Sequence, residues 1–338
     1  MSMLDFQDPE FKPRLRHCTF FQPDEGPVLM IIGDEHFEIT QTGADFDEFL
    51  NLKRYLDGRH TIKEISTLIG QPVNGVLDVV AAFGEQGLIR VEQRGLTEVP
   101  VPVFLDQVDK ATGMWSEQIG YHRLWSGLVN HAYRKEVFLG VIMETYHYIK
   151  SASQHISTAI AHCQDPAWRQ LLSEYLAEEY DHAHMASESL CRMGLTHAEV
   201  EDAHPVIGTW SLINNLCEIA RRDTLGYLAA TRLFEARGGE TLEGAHALQD
   251  MAESYGYPAD CLSPLVSHVE IDVVANHTGL LEEALQGRAC VPAAQAHRAV
   301  NNLHDLKHSF DQYHFGIIGY YSDISNYIPR LKVDYFSL

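Results

Sequence analysis

The sequence predicts a mainly α-helical protein, a large helical bundle preceded by a small α+β module. Two observations carry this. From about Tyr121 onward, apolar residues recur at helical spacing in long segments near 122–164, 166–194, 210–237, 242–255, 259–286 and 292–327, separated by turn clusters such as HCQDP, ARGGE and YGYPAD. Ahead of them, the first 95 residues hold short apolar runs and short capped helical patterns instead. A chain of 338 residues is long enough for both parts and for a sizeable core.

Taken in order, residues 1–26 are polar and proline-containing and read as an extended N-terminal arm. Val28–Ile32 and His36–Thr40 flank GDE as a β-hairpin. A helix is expected over Phe46–Leu56, stopped by DGRH, and Thr61 opens TIKEISTLIG as an N-cap with Glu64 in the capping-box position. A third helix over Asn74–Gln86 ends at Gly87 and runs into LIRVEQR, a returning strand. That order, over residues 27–95, is winged-helix-like. Residues 96–120 are expected to be a linker, because LTEVPVPVFLDQVDK sets prolines among valines without helical period. The bundle then occupies 121–338.

Charge and cysteine usage remove several function classes. A net charge of −22 argues against nucleic acid, whose phosphates need Lys and Arg, and against an anionic membrane surface. The N-terminal 95 residues are acidic too, with 9 Lys+Arg against 16 Asp+Glu, which disfavours a DNA-binding wing. The six cysteines stand singly, without a CxxC pair, so neither a zinc knuckle nor a redox dithiol is indicated. No run of about 18 apolar residues occurs, and a cytoplasmic location is the expectation.

The chemistry concentrates in three bundle segments. EEYDHAHMASESLCRMG, residues 178–194, reads as one helix carrying Glu179 and His182 three residues apart on one face. SPLVSHVEIDVVANHTG places His268 and Asp272 at i and i+4, flanked by Val269 and Ile271, so an acid and an imidazole need partners in an apolar setting. Glu235 sits in YLAATRLFEA, where a lone carboxylate is costly. Carboxylates and imidazoles projected inward from several helices are a ligand set for iron or manganese. Glu144 and Glu178 are alternative carboxylates, and His155 reads equally as a core histidine or a ligand. Glu270, His184, His304, His308 and His314 read as solvent-facing or structural.

Two family resemblances attach to these residues. The stretch "YLDGRHTIKEISTLIG…VLDVVAAFGEQGLIRV" resembles the small peptide-binding domains related to the pyrroloquinoline-quinone chaperone, which implies a peptide or carrier partner at the N-terminal module. The pattern "EEYDHAHMASESLCRMGL", an isolated glutamate and "HVEIDVVANHTG" resembles the haem-oxygenase-like diiron oxidases and oxygenases, whose bundle is shared with thiaminase-II-like proteins and the pyrroloquinoline-quinone synthase. The intervals agree: 53 residues from His182 to Glu235 and 33 from Glu235 to His268. Carried over by position, Glu179, His182, Glu235, His268 and Asp272 match the family's metal ligands, but its last histidine position is Ala275. His277 lies two residues on, about 180° round a regular helix from His268. A π-bulge would bring it round, with Asn276 as the alternative. The resemblance implies two ferrous ions, O2 as co-substrate and an oxygenase or oxidase acting on an amino-acid-derived or peptide-borne substrate in a natural-product pathway, by N-oxygenation or oxidative C–C cleavage. Tyr146, Tyr148 and Tyr227 are candidate pocket residues. A homodimer is allowed. The competing expectations are a metal-free, cofactor-synthase-like oxidase of the same fold, and a non-enzymatic partner-binding bundle.

Overall fold

A computed structural model describes residues 6–21, 28–32, 35–39, 46–90, 97–235, 238–275 and 279–333. The chain divides into two units, Met1–Leu96 and Thr97–Leu338.

In the first unit, β1 (Thr19–Phe21), β2 (Val28–Ile32) and β3 (Glu35–Ile39) form an antiparallel sheet in that order, with Met30 opposite both Phe20 and Phe37. The helices are α1 (Phe46–Lys53), α2 (Ile62–Ile69) and α3 (Val73–Glu85). The expected capping box starts α2: the Glu64 amide donates to Thr61 Oγ1 at 3.1 Å and the Thr61 amide to Glu64 Oε2 at 2.8 Å. Gly70 ends α2 at φ 70°, a left-handed turn that suits glycine. Leu52, Leu56, Ile62, Ile65, Val76, Leu77 and Val80 are the core. The N-terminal arm is integral to this unit, because Phe6, Phe11 and Leu15 pack on that core and β1 belongs to the arm. The returning strand is described only to Arg90, where Ile89 bridges Leu15; the rest of it lies outside the described residues.

The second unit runs through β4 (Glu98–Pro100), α4 (Val101–Gly120), α5 (Arg123–Val129), α6 (Lys135–Lys150), α7 (Ala152–His162), α8 (Pro166–Glu179), α9 (Ala183–Arg192), α10 (His197–Asp202), α11 (Ile207–Arg222), α12 (Thr224–Phe234), α13 (Gly238–Ser254), α14 (Ser263–Ala275), α15 (Leu280–Leu285), β5 (Cys290–Pro292) and α16 (Ala293–Tyr321). The expected linker at 96–120 is corrected here. Pro100 is the N-cap of α4 and Pro102 stands in its first turn, where a missing amide proton costs nothing, so the prolines start a helix. Its Phe104, Val108 and Thr112 are fully buried in the bundle, and the Val99–Val291 register pairs the strands preceding α4 and α16.

α16 packs along α11 and α12. The α11–α16 approach is set by glycine: a Cβ on Gly208 would stand 2.4 Å from the Gln312 carbonyl oxygen. Inside this layer Glu144 of α6 is fully buried and accepts from the Val206 amide (3.1 Å), Thr209 Oγ1 (2.5 Å) and Tyr321 hydroxyl (2.7 Å). Glu144 therefore ties α6 to the start of α11 and the end of α16. Among the described residues, no single helix is long and apolar enough to cross a membrane.

Candidate metal centre

The helix expected over Glu178–Gly194 is broken. α8 ends at Glu179, α9 begins at Ala183, and the turn between them closes through His182 N to Glu179 O (3.4 Å) and Met185 N to His182 O (3.0 Å). Glu179 is thus the last residue of one helix and His182 the residue before the next. The break keeps the two side chains together: His182 Nδ1 lies 3.2 Å from Glu179 Oε2. Glu178, one residue earlier, is exposed, so of the three alternative carboxylates only Glu179 faces the site.

α14 supplies the facing pair. His268 Nδ1 is 2.9 Å from Asp272 Oδ2, the i,i+4 contact expected from their spacing. Asp272 Oδ1 is 3.7 Å from His182 Nδ1, and the two imidazole rings stand edge to face with centroids 4.8 Å apart. Glu179, His182, His268 and Asp272 are all buried, and one ligand atom from each falls within 4.8 Å of all the others. His268 Nε2 and Asp272 Oδ1 make no hydrogen bond. Burial lowers the His268 pKa, but the hydrogen bond to Asp272 and the charges of Asp272, Glu179 and Glu235 outweigh it and raise the value overall.

Buried polar atoms without partners are costly, and these converge. An imidazole that donates through one ring nitrogen to a carboxylate and keeps the other bare is the arrangement of a metal-ligating histidine. The oxygen and nitrogen donor set suits iron or manganese. The residues present fit a metal ion.

Glu235 arrives differently. It follows the last residue of α12 in extended conformation (φ −87°, ψ 157°), is half-buried, and accepts a hydrogen bond from the Tyr175 hydroxyl. It lines a cavity of about 570 Å³ together with His268 and Asp272 but stands outside the four-residue cluster. His277 and Asn276 lie outside the described residues, as does any bulge beyond Ala275. Of the candidate tyrosines, Tyr148 lines the cavity and its buried hydroxyl has no hydrogen-bond partner. Tyr146 instead accepts from Lys150 (3.0 Å), and Tyr227 is fully buried against His155, Nδ1 to hydroxyl 2.7 Å. His155 is therefore a core histidine. Glu270 and His184 are exposed, and His308 is too.

The reading of His314 as a solvent-facing or structural histidine is corrected here. His314 of α16 is only 3% exposed and lines the same cavity. The available signal was its register: Phe310, His314 and Ile317 fall at 4- and 3-residue steps along one face.

Residues 139–304 match the model of a family described as iron-containing redox enzymes. No curated protein matches the chain. Among solved structures, a domain of unknown function with a haem-oxygenase-like fold from Shewanella denitrificans OS217 is 17% identical with a TM-score of 0.55, covering 66% of this chain and 96% of that one. A TenA homologue from Pseudomonas syringae pv. tomato DC3000 is 10% identical with a TM-score of 0.50, covering 65% and 93%. At these identities the likeness is one of fold: the bundle is haem-oxygenase-like, and a small sheet-containing unit precedes it.

Proposed function

We propose that the protein is a non-haem iron oxidoreductase that uses O2 on an amino-acid-derived or peptide-borne substrate. The observation that carries this is the buried convergence of Glu179, His182, His268 and Asp272, with His268 Nε2 and Asp272 Oδ1 unsatisfied, beside a cavity of about 570 Å³. These four residues would hold iron, and Glu235, lining the same cavity, is the carboxylate nearest in role for a second ion. Bound ferrous iron would supply the activation of O2. The chain's own residues do the rest. Asp272 fixes the ring of His268 and its tautomer through Nδ1, leaving Nε2 as donor. Tyr175 orients Glu235 through its phenolic hydrogen. Leu233, Phe234, Leu262 and Leu265 make the adjoining wall apolar, which excludes water from the reacting centre.

The N-terminal unit supports the peptide-borne half of the reading. Phe49, Leu52, Ile69, Val76 and Val79 line a groove of about 270 Å³ able to take an apolar side chain of a leader peptide or carrier. The Tyr175–Glu235 hydrogen bond favours a second reading, in which Glu235 serves proton transfer and no metal is held.

Metal content decides between them. Protein produced with iron should retain one to two irons per chain, and His268→Ala, which removes the bare Nε2, should lose it while keeping its helical circular dichroism. Iron-free wild type that takes up no ferrous iron anaerobically would end the iron reading.

A further inference from the structure

Among the described residues the cavity's wall holds two carboxylates, Glu235 and Asp272, together with His268, and no lysine or arginine lines it. Part of the wall is aromatic: Tyr148 packs edge-on to Phe310 (centroids 6.2 Å), Phe310 to Tyr313 (6.5 Å), and Trp125 to His314 (5.3 Å). Within that wall two polar atoms make no hydrogen bond, the Tyr148 hydroxyl and His314 Nδ1. Both groups are held uncharged. Burial, with the carboxylate charges of Glu235, Glu179 and Asp272 and the neighbouring Tyr313, pushes the Tyr148 pKa far up, so the phenol keeps its proton. Burial, with neighbouring His122, lowers His314 to about 3, so its imidazole is neutral.

We infer that this cavity binds a molecule with an apolar body and an uncharged or aminated polar group, anchored by the Tyr148 hydroxyl and the His314 imidazole, and that it rejects one whose corresponding group is a carboxylate or phosphate. An anion against the aromatic wall would be a buried charge without a counter-charge. A neutral amide can donate and accept at these two atoms, which have no partner in the protein, and an ammonium can donate to them while Glu235 and Asp272 line the same cavity; sites built this way discriminate strongly by hydrogen bonding. A free amino acid, with its carboxylate, is thereby disfavoured against the same side chain held in peptide linkage or an amine without an acid. The inference deepens the proposed iron-enzyme reading and rests on it only in placing the reacting end beside His268 and Asp272.

The test is calorimetric titration of the full chain with three probes that share one body, 4-phenylbutylamine, 4-phenylbutanamide and 4-phenylbutanoate. It is run on chelator-treated protein and on protein loaded anaerobically with ferrous iron, iron per chain being measured on each sample. The amine and amide should bind at least about tenfold tighter than the carboxylate in both forms. Tyr148→Phe, which removes one oxygen, and His314→Leu should each weaken the amide by about fivefold to tenfold. A carboxylate that binds as well as the amide in the ferrous form overturns the inference, as does failure of all three to bind at millimolar concentration, or unchanged amide affinity in both variants. If iron does not bind but the order amine and amide over carboxylate holds, the cavity inference stands and the iron reading falls.

Discussion

Glu144→Gln should lower thermal stability modestly and leave iron binding intact, whereas Glu144→Ala should be strongly destabilising. Both expectations follow from the three donors that meet this carboxylate: the Val206 amide and Thr209 hydroxyl on Oε2, and the Tyr321 hydroxyl on Oε1. A glutamine keeps one oxygen for the first two, and its amide nitrogen can donate to the Tyr321 oxygen after that hydroxyl rotates. What is lost is charge assistance, and burial already opposes the charge, raising the Glu144 pKa against the pull of those hydrogen bonds. The net cost is about 1–2 kcal/mol. Alanine leaves three buried donors without a partner, at about 1–3 kcal/mol each, or roughly 3–6 kcal/mol when hydroxyl rotation recovers part of it. In a unit of this size 1 kcal/mol moves Tm by about 2–4 °C, so glutamine should lower Tm by about 2–8 °C and alanine by more than twice that. Circular-dichroism melting of iron-free protein reads the stability and elemental analysis reads the iron. Glu179→Gln should do the reverse, losing iron with little change in the iron-free melt. A Glu144→Gln protein with wild-type Tm that no longer holds iron would refute the assignment of Glu144 to helix tethering.

Acid should destabilise the bundle through three buried neutral histidines. His147, His155 and His314 are each lowered to about 3, chiefly by burial, so the unfolded chain takes up protons between pH about 6.5 and 3 that the folded chain does not. Stability is complete above the unfolded value and falls as pH drops through that window, by up to about 1.4 kcal/mol per unit for each histidine. Urea midpoints between pH 7.5 and 5 should show this, with a shallower slope in His314→Leu; an unchanged slope would show that His314 is solvated. Gly208→Ala should cost about 3 kcal/mol by driving a Cβ into the Gln312 carbonyl, while Gly113→Ala, with nothing within 4 Å in α4, should stabilise by about 1 kcal/mol. Equal urea midpoints for the two variants would contradict the close α11–α16 approach.

The bundle and the pairing of His268 with Asp272 were legible because they rest on local periodicity. The i,i+4 relation of His268 and Asp272 is fixed by helix geometry wherever α14 packs, and the intervals from His182 through Glu235 to His268 spread the candidates over separate segments of the bundle. The capping box at Thr61 was equally local. The sequence could not reveal that the Glu179–His182 segment breaks between α8 and α9, because nothing in EEYDHAH forbids a continuous helix. The break is a choice of tertiary packing that keeps the acid and imidazole facing α14. The prolines before α4 misled for a related reason: a proline reads as a breaker in the chain but is harmless in a first turn.

By itself, then, the sequence determined that the chain folds as a helical bundle and which acids and imidazoles are candidates for its interior. Tertiary structure decided which carboxylate of Glu144, Glu178 and Glu179 faces the site. One is fully hydrogen-bonded between helices, one is exposed, and only Glu179 meets His182. It also turned His314 into cavity wall, because burial at a helix–helix junction depends on what packs opposite, which no single-helix pattern contains.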